Sequence, residues 1–240
     1  MLEVFLVGAG TALATGLGAI PVILLGGSAE RLRPALLGLA AGVMAVAAVA
    51  GLLLPALDEG SAAAVAGGGI AGVAFLLIAG RLLGERGPGA RPAAERLSLL
   101  VFVVLFVHSF PEGLALGTAF ASSTAGLATF VVIAIAVQNV PEGTSVAIPM
   151  LAAGRTPWQM FWGAVATSAP QPFAAVLSFA LVEQIESLLP ISFAFAAGAM
   201  LALVAIEIWP SGWRAGAAPF LLGLLAGGAA MLVLSLALGV

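Results

Sequence analysis

The chain has 240 residues, 62% of them hydrophobic and only 8% charged, and its 31 glycines bring the apolar share to about 75%, where a soluble domain has about 45–50% apolar and about 25% charged residues. Eight cations and eleven acids cannot clothe a soluble core of this size, and disorder would need the opposite balance of low hydrophobicity and high charge. A net charge of −3 without a basic stripe excludes nucleic-acid binding, and the absence of cysteine excludes disulfides, thiolate zinc sites and thiol nucleophiles.

What remains is an all-α integral membrane protein. The opening Met-Leu-Glu-Val-Phe has no basic stretch before its apolar run, so it reads as a first span rather than a cleaved signal. A helix needs about 20 apolar residues to cross the hydrocarbon. In chain order, eight stretches are predicted to do so: 2–25, 34–57, 62–83, 97–121, 124–150, 157–182, 187–209 and 215–239. The alternating strand pattern of a membrane barrel is absent. The longest hydrophilic stretch, a loop at about 84–96, is too short to be a domain, so residues 1–240 read as one transmembrane domain.

Orientation follows from the arginines, since lysine is absent. Arg31 and Arg33 lie between spans one and two, and Arg81, Arg86, Arg91 and Arg96 flank the third loop. Arg155 follows span five and Arg214 follows span seven. With eight spans, all eight arginines fall on one side. The positive-inside rule makes that side the cytoplasm and puts both termini outside. Glu30, Glu85 and Glu95 accompany the arginines, leaving a net +5, whereas Glu3, Asp58, Glu59, Glu183 and Glu186 face outward. Glu112, Glu142 and Glu207 lie within spans. Trp158, Trp162, Trp209 and Trp213 fall near the inner interface, as anchors do.

A carboxylate inside the bilayer costs at least ~2.5–3.5 kcal/mol, so Glu112 and Glu142 need a reason to be there. Their settings nearly repeat: His108-Ser-Phe-Pro-Glu112-Gly in span four and Gln138-Asn-Val-Pro-Glu142-Gly in span five. His108 and Glu112 share one helix face at i, i+4, as do Gln138 and Glu142. Ser109 and Asn139 lie beside those faces. Pro111 and Pro141 each remove a backbone donor and are expected to kink their helices. A tight polar turn near Ala121–Thr124 makes the two spans antiparallel neighbours. Met44 in span two and Gln171 in span six add a thioether and an amide at mid-depth. One imidazole, two carboxylates, an amide and a thioether form a borderline-soft donor set suited to zinc and its first-row neighbours, whereas magnesium or calcium prefers oxygen alone.

These motifs resemble the ZIP (Zrt/Irt-like) family of divalent-metal transporters. The paired Pro-Glu-Gly motifs carry the resemblance, with Ala-Thr-Gly-Leu-Gly-Ala-Ile-Pro at 14–21, Ala-Ala-Gly-Val-Met at 40–44 and Ala-Ala-Gly-Ala-Met at 196–200. The similarity of the last two motifs fits an inverted internal symmetry. The resemblance implies a main metal site on Met44, His108, Glu112, Gln138 and Glu142. It implies a second, adjacent site on Ser109, Glu112, Asn139, Glu142 and Gln171. Here Ser109, Asn139 and Gln171 are neutral where the family usually has Asn, Asp and Glu, so the second site is weakened or absent. Asp58 resembles an entrance ligand and Glu207 an exit ligand. The implied activity is inward transport of a divalent cation, zinc first among them, across a prokaryotic inner membrane. The cation is substrate rather than cofactor. No nucleotide motif is present, and a homodimer is compatible with the family.

Other readings stay open at this point. Met44 can be packing, Asn139 and Gln171 can be interhelical hydrogen-bond glue, Glu207 can pair with Arg214, and Asp58 can be a solvated loop end. Two rival functions use the same residues. One is a proton-coupled carrier of an organic solute, with the glutamates as relays. The other is an intramembrane metallohydrolase, for which HExxH and a second basic group are missing.

Overall fold

A computed structural model describes residues 1–84 and 93–240. Among these every regular element is helical: α1 (Leu2–Leu17), α2 (Ala19–Leu25), α3 (Arg33–Val46), α4 (Leu54–Glu59), α5 (Ala62–Gly84), α6 (Ala93–Ala121), α7 (Leu127–Ala152), α8 (Pro157–Thr167), α9 (Pro170–Gln184), α10 (Leu188–Leu203) and α11 (Trp209–Leu238). Six helical runs are long and apolar enough to cross a membrane. The first and last of these, Leu2–Glu59 and Leu188–Leu238, hold 58 and 51 residues. Each is broken internally. Gly26 takes φ +56° and leads into a 3₁₀ stretch over Gly26–Leu32, and Gly216 leaves helical geometry within α11. Most of the loop expected at 84–96, with Glu85, Arg86 and Arg91, lies outside the described residues.

Small residues set the packing distances, as they must between membrane helices. α3 packs along α11, where a Cβ on Gly38 or Gly42 would overlap the carbonyls of Phe220 and Leu224. Reciprocally, one on Gly223 or Gly227 would overlap those of Ala35 and Leu39. α5 pairs with α10 in the same manner, through Gly72 and Gly198. A second group of contacts joins α6 to α9, α1 to α7 and α9, and α6 to α7. Gly113 and Gly117 let α6 lie against the backbone carbonyls of Gln171 and Ala175 on α9.

The antiparallel pairing of α6 and α7 is as the sequence suggests. α6 ends at Ala121, the Ser122 and Thr124 hydroxyls bond at 3.2 Å, and Gly126 at φ +80° restarts the chain into α7. Both helices continue through Pro111 and Pro141. The two Ala-Ala-Gly-x-Met motifs share a further backbone feature. Each is followed within a few residues by a π-helical stretch, Ala47–Leu53 after Met44 and Val204–Ile208 after Met200. Glu207 sits in the second, and π-helical turns often accompany functional positions.

The arginine-bearing ends lie together in two places. Arg155 reaches Glu95 at 3.9 Å, and Arg33 and Arg214 line a common recess. Trp158, Trp162, Trp209 and Trp213 are all exposed, the last two with stacked rings.

The glycine seam gives a first prediction. Gly42→Leu should force α3 from α11; overpacking costs ~1–3 kcal/mol, or a Tm lower by about 2–12 °C for a chain of this size. Leu222→Ala, at a position 69% exposed on α11, should leave the detergent-solubilised Tm within about 1 °C by the same scaling. Equal effects of the two changes would contradict the packing described.

Candidate metal centre

The i, i+4 spacing on α6 and α7 turns His108, Glu112, Gln138 and Glu142 toward one another. His108, Glu112 and Gln138 are fully buried and Glu142 is 5% exposed. The His108 Nε2 lies 3.3 Å from Glu112 Oε1 and 3.9 Å from Glu142 Oε1. One ligand atom each from His108, Glu112 and Glu142 falls within 4.8 Å of the others. Among the described residues this is the only such group of three. Gln138 joins it by donating from Nε2 to Glu112 Oε1.

Hydrogen bonding around these residues is incomplete in one specific place. Both ring nitrogens of His108, Gln138 Oε1 and Glu142 Oε1 are buried without a hydrogen-bond partner. An unsatisfied buried polar atom costs roughly 1–3 kcal/mol, and native interiors hold few of them. The two ring nitrogens point to opposite sides of the imidazole, so one of them, with Gln138 Oε1 and Glu142 Oε1, offers the free lone pairs that a cation accepts beside the Glu112 carboxylate. The tetrahedral N/O shell of zinc fits this set.

The second group of polar residues behaves differently. Asn139 and Gln171 form a reciprocal amide pair. Asn139 Nδ2 donates to Gln171 Oε1 at 3.2 Å, and Gln171 Nε2 faces Asn139 Oδ1 at 3.4 Å. Asn139 Nδ2 also donates to the Thr11 carbonyl at 2.7 Å, and Gln171 Nε2 donates to Glu112 Oε2 at 2.5 Å. The Thr11 hydroxyl lies 3.1 Å from Gln171 Oε1. Ser109 donates to the Leu105 carbonyl at 2.9 Å, within its own helix. The neutral residues of the expected second site are therefore occupied with each other and with the backbone. Their only link to the carboxylates is the amide held against Glu112.

Thr11 was not among the residues singled out from the sequence. Thr15, whose hydroxyl meets Ser168 at 2.6 Å, entered only as part of the motif at 14–21 and not as a polar contact. A threonine pair at i, i+4 in an otherwise apolar helix was the available signal. It is weak, because hydroxyls in such helices commonly bond their own backbone.

The remaining candidates fall elsewhere. Met44 is fully buried on α3, in the apolar core beside Ala41, Ala47 and Ala48, and α3 packs on α7. Asp58 is exposed at the end of α4. Glu207 forms no ion pair with Arg214 among the described residues. Instead it lines a cavity of about 260 Å³ that reaches from Glu142, past Ser145 and Leu203, to Arg33 and Ser211. This cavity touches the main centre at Glu142, and Glu207 stands on its wall.

The sequence model described as ZIP Zinc transporter matches residues 89–235, more than half of the chain and all of the centre's α6, α7 and α9 residues. The chain belongs to the ZIP family. It is similar to the zinc transporter ZIPB of Bordetella bronchiseptica, at 34% identity over 245 aligned positions that cover 94% of this chain and 78% of that protein. It is similar also to the zinc transporter GufA of Myxococcus xanthus, at 33% identity with 85% of each chain covered. A longer protein of Arabidopsis thaliana is 34% identical over 214 residues, and this chain spans 33% of its length. ZIP proteins are transporters, not enzymes, which removes the metallohydrolase reading.

The amide pair yields a second prediction. Gln171→Leu frees Glu112 Oε2 and should weaken zinc binding by about 10–100-fold, the usual effect of losing an outer partner of a metal ligand. Asn139→Asp with Gln171→Glu should instead raise bound zinc per chain above the wild-type value in elemental analysis of purified protein. An unchanged stoichiometry in the double variant would contradict the role given to the neutral pair.

Proposed function

We propose that this ZIP chain moves a divalent cation, zinc foremost and other first-row metals after it, into the cytoplasm. His108, Glu112, Gln138 and Glu142 bind the ion at mid-depth, with the Met44 thioether as a further donor. The observation that carries this reading is the set of unpaired buried donors at His108, Gln138 and Glu142, the last of which lines a cavity. The relatives ZIPB and GufA are zinc transporters, which agrees with that donor set.

Eight crossings in one domain, with both termini outside, fit this role. A continuous helix of 58 residues would be about 87 Å long, nearly three times the ~30 Å hydrocarbon core, so the first run must cross twice, turning at Gly26. The last run, broken at Gly216, requires the same. The pairing of Arg155 with Glu95 and the shared recess of Arg33 and Arg214 support one basic face, taken as cytoplasmic by the positive-inside rule. The cavity from Glu142 opens toward that face, which favours inward delivery. Asp58, exposed near the opposite end of the second crossing, receives the ion, and Glu207 takes it on the way out. Rocking of helix groups about a fixed midplane site is the physical default for such a carrier. A prokaryotic inner membrane is the setting we assign; the chain works without nucleotide or nucleic acid, alone or as a homodimer.

The amide pair supports a reading of one strong ion site per chain, because Asn139 and Gln171 supply hydrogen bonds where a second ion would need carboxylates.

The test is uptake of a panel of divalent metals into proteoliposomes, read by elemental analysis. Zinc should accumulate well above empty vesicles, and Glu142→Ala should reduce it by at least about tenfold, corresponding to ~1.4 kcal/mol of lost ion stabilisation. No accumulation of any divalent metal would overturn the transport reading. Normal uptake by Glu142→Ala would overturn the site. Ser145→Phe, filling the cavity below Glu142, should slow uptake while leaving bound zinc per chain unchanged.

A further inference from the structure

Arg33 and Ser211 line two adjoining spaces. One is the cavity that leads to Glu142 and Glu207. The other is a polar recess of about 330 Å³ bounded by Glu30, Arg33, Ser211, Arg214 and Ala215. Beside the recess α11 departs from helical geometry at Gly216, which follows Ala215 and lies close to Pro34 at the start of α3. Arg214 also borders a third hollow, formed with Trp209, Pro210 and Trp213. The exit route, the paired arginines and the stacked indoles are therefore continuous.

The charges there do not balance. Arg33 pairs with Glu30 at 2.9 Å. Arg214 has no carboxylate within ion-pair distance among the described residues. Within the recess two guanidinium groups face one carboxylate, a local +1 beside the mouth of a route for a divalent cation whose next carboxylate, Glu207, lies on the adjoining cavity wall. Within the ~8 Å Debye length of physiological salt such a charge opposes passage. An anion seated between the arginines would remove that obstacle. Guanidinium forks match phosphate oxygens in bidentate geometry, and the Ser211 hydroxyl can donate a third bond.

The surroundings favour a lipid over a free anion. Trp209 and Trp213 are 41% and 47% exposed, with ring centroids 6.2 Å apart and planes 6° from parallel, and Leu32 beside Arg33 is 41% exposed. An indole pair at this level offers an apolar bed for a glycerol backbone and the first acyl carbons. Basic pockets between membrane helices on the cytoplasmic side hold anionic headgroups by the same physics.

We propose that Arg33, Arg214 and Ser211 bind the phosphate of an anionic phospholipid at the mouth of the Glu142–Glu207 cavity, with Trp209 and Trp213 bedding its apolar part. The bound phosphate neutralises the rim and lets the cation leave. The second half of this inference rests on the transport reading; the lipid site does not.

Two measurements separate them. Native mass spectrometry of the detergent-purified chain, titrated with phosphatidylglycerol or phosphatidylcholine, should show one phosphatidylglycerol retained in preference. Arg214→Gln should weaken that retention by about tenfold or more, as loss of a charge-assisted bidentate contact does. Equal retention by Arg214→Gln, or equal retention of both lipids, would overturn the site. Displacement of the lipid by an equal concentration of inorganic phosphate would show a free-anion site and overturn the lipid assignment. In proteoliposomes, added phosphatidylglycerol should raise zinc uptake more for wild type than for Arg214→Gln, since surface attraction of cations is common to both. An equal gain in the two would overturn the role at the mouth. A chain that retains the lipid but moves no metal in either membrane would overturn the transport reading and support the lipid site.

Discussion

Two carboxylates and an imidazole are buried together in a chain that otherwise consists of hydrocarbon, and the structure depends on how they are satisfied. Burying an ionised group without a partner is among the largest penalties available to a fold. Glu112 is satisfied from two directions, since Gln138 donates to one carboxylate oxygen and Gln171 to the other. Glu142 and His108 are not, and their free atoms face each other. The asymmetry divides the polar interior into a part that protein completes and a part that it leaves open, where the proposed ion would sit. Glu112 belongs to both.

This division explains the arrangement of the helices. Gln171 can reach Glu112 only if α9 approaches α6 closely, and Gly113, next in sequence to Glu112, permits that approach. Asn139 can hold Gln171 only if α1 presents the Thr11 carbonyl, which the packing of α1 on α7 and α9 provides. Small residues at the crossings and polar residues at mid-depth thus serve one purpose. The first bring backbones together, and the second use the proximity. The seam between α3 and α11 follows the same packing rule without polar residues, which suits a supporting element.

Much of this was legible in the sequence because the signals are local. The i, i+4 pairs His108/Glu112 and Gln138/Glu142, the Pro-Glu-Gly repeats and the polar turn at Ala121–Thr124 each depend on a few neighbouring residues, and the structure unites them as expected. The helical runs were legible from hydropathy alone, because lipid leaves the backbone no alternative to internal hydrogen bonding. Asn139 and Gln171 were ambiguous between ligand and hydrogen-bond glue. An amide side chain supports either, and only its neighbours decide. Thr11 was missed because its part is played largely by a backbone carbonyl, which no residue type announces. Glu207 was ambiguous too: Arg214 lies seven residues on, close enough to pair in a helix, yet the π-helical turn at Val204–Ile208 and the break at Gly216 accompany a different outcome.

Taken alone, the sequence determined the class of protein, its helical character and the pair of helices that carry Glu112 and Glu142. Composition and short-range periodicity suffice for those properties, since each is set by transfer into lipid or by spacing along one helix. Only the tertiary structure decided which polar atoms are shared and which are left free. It also decided that the neutral amides close on each other, and that a cavity extends from Glu142 past Glu207 to Arg33. Those outcomes are set by contacts between helices distant in sequence, where an ångström of approach separates a hydrogen bond from an open donor.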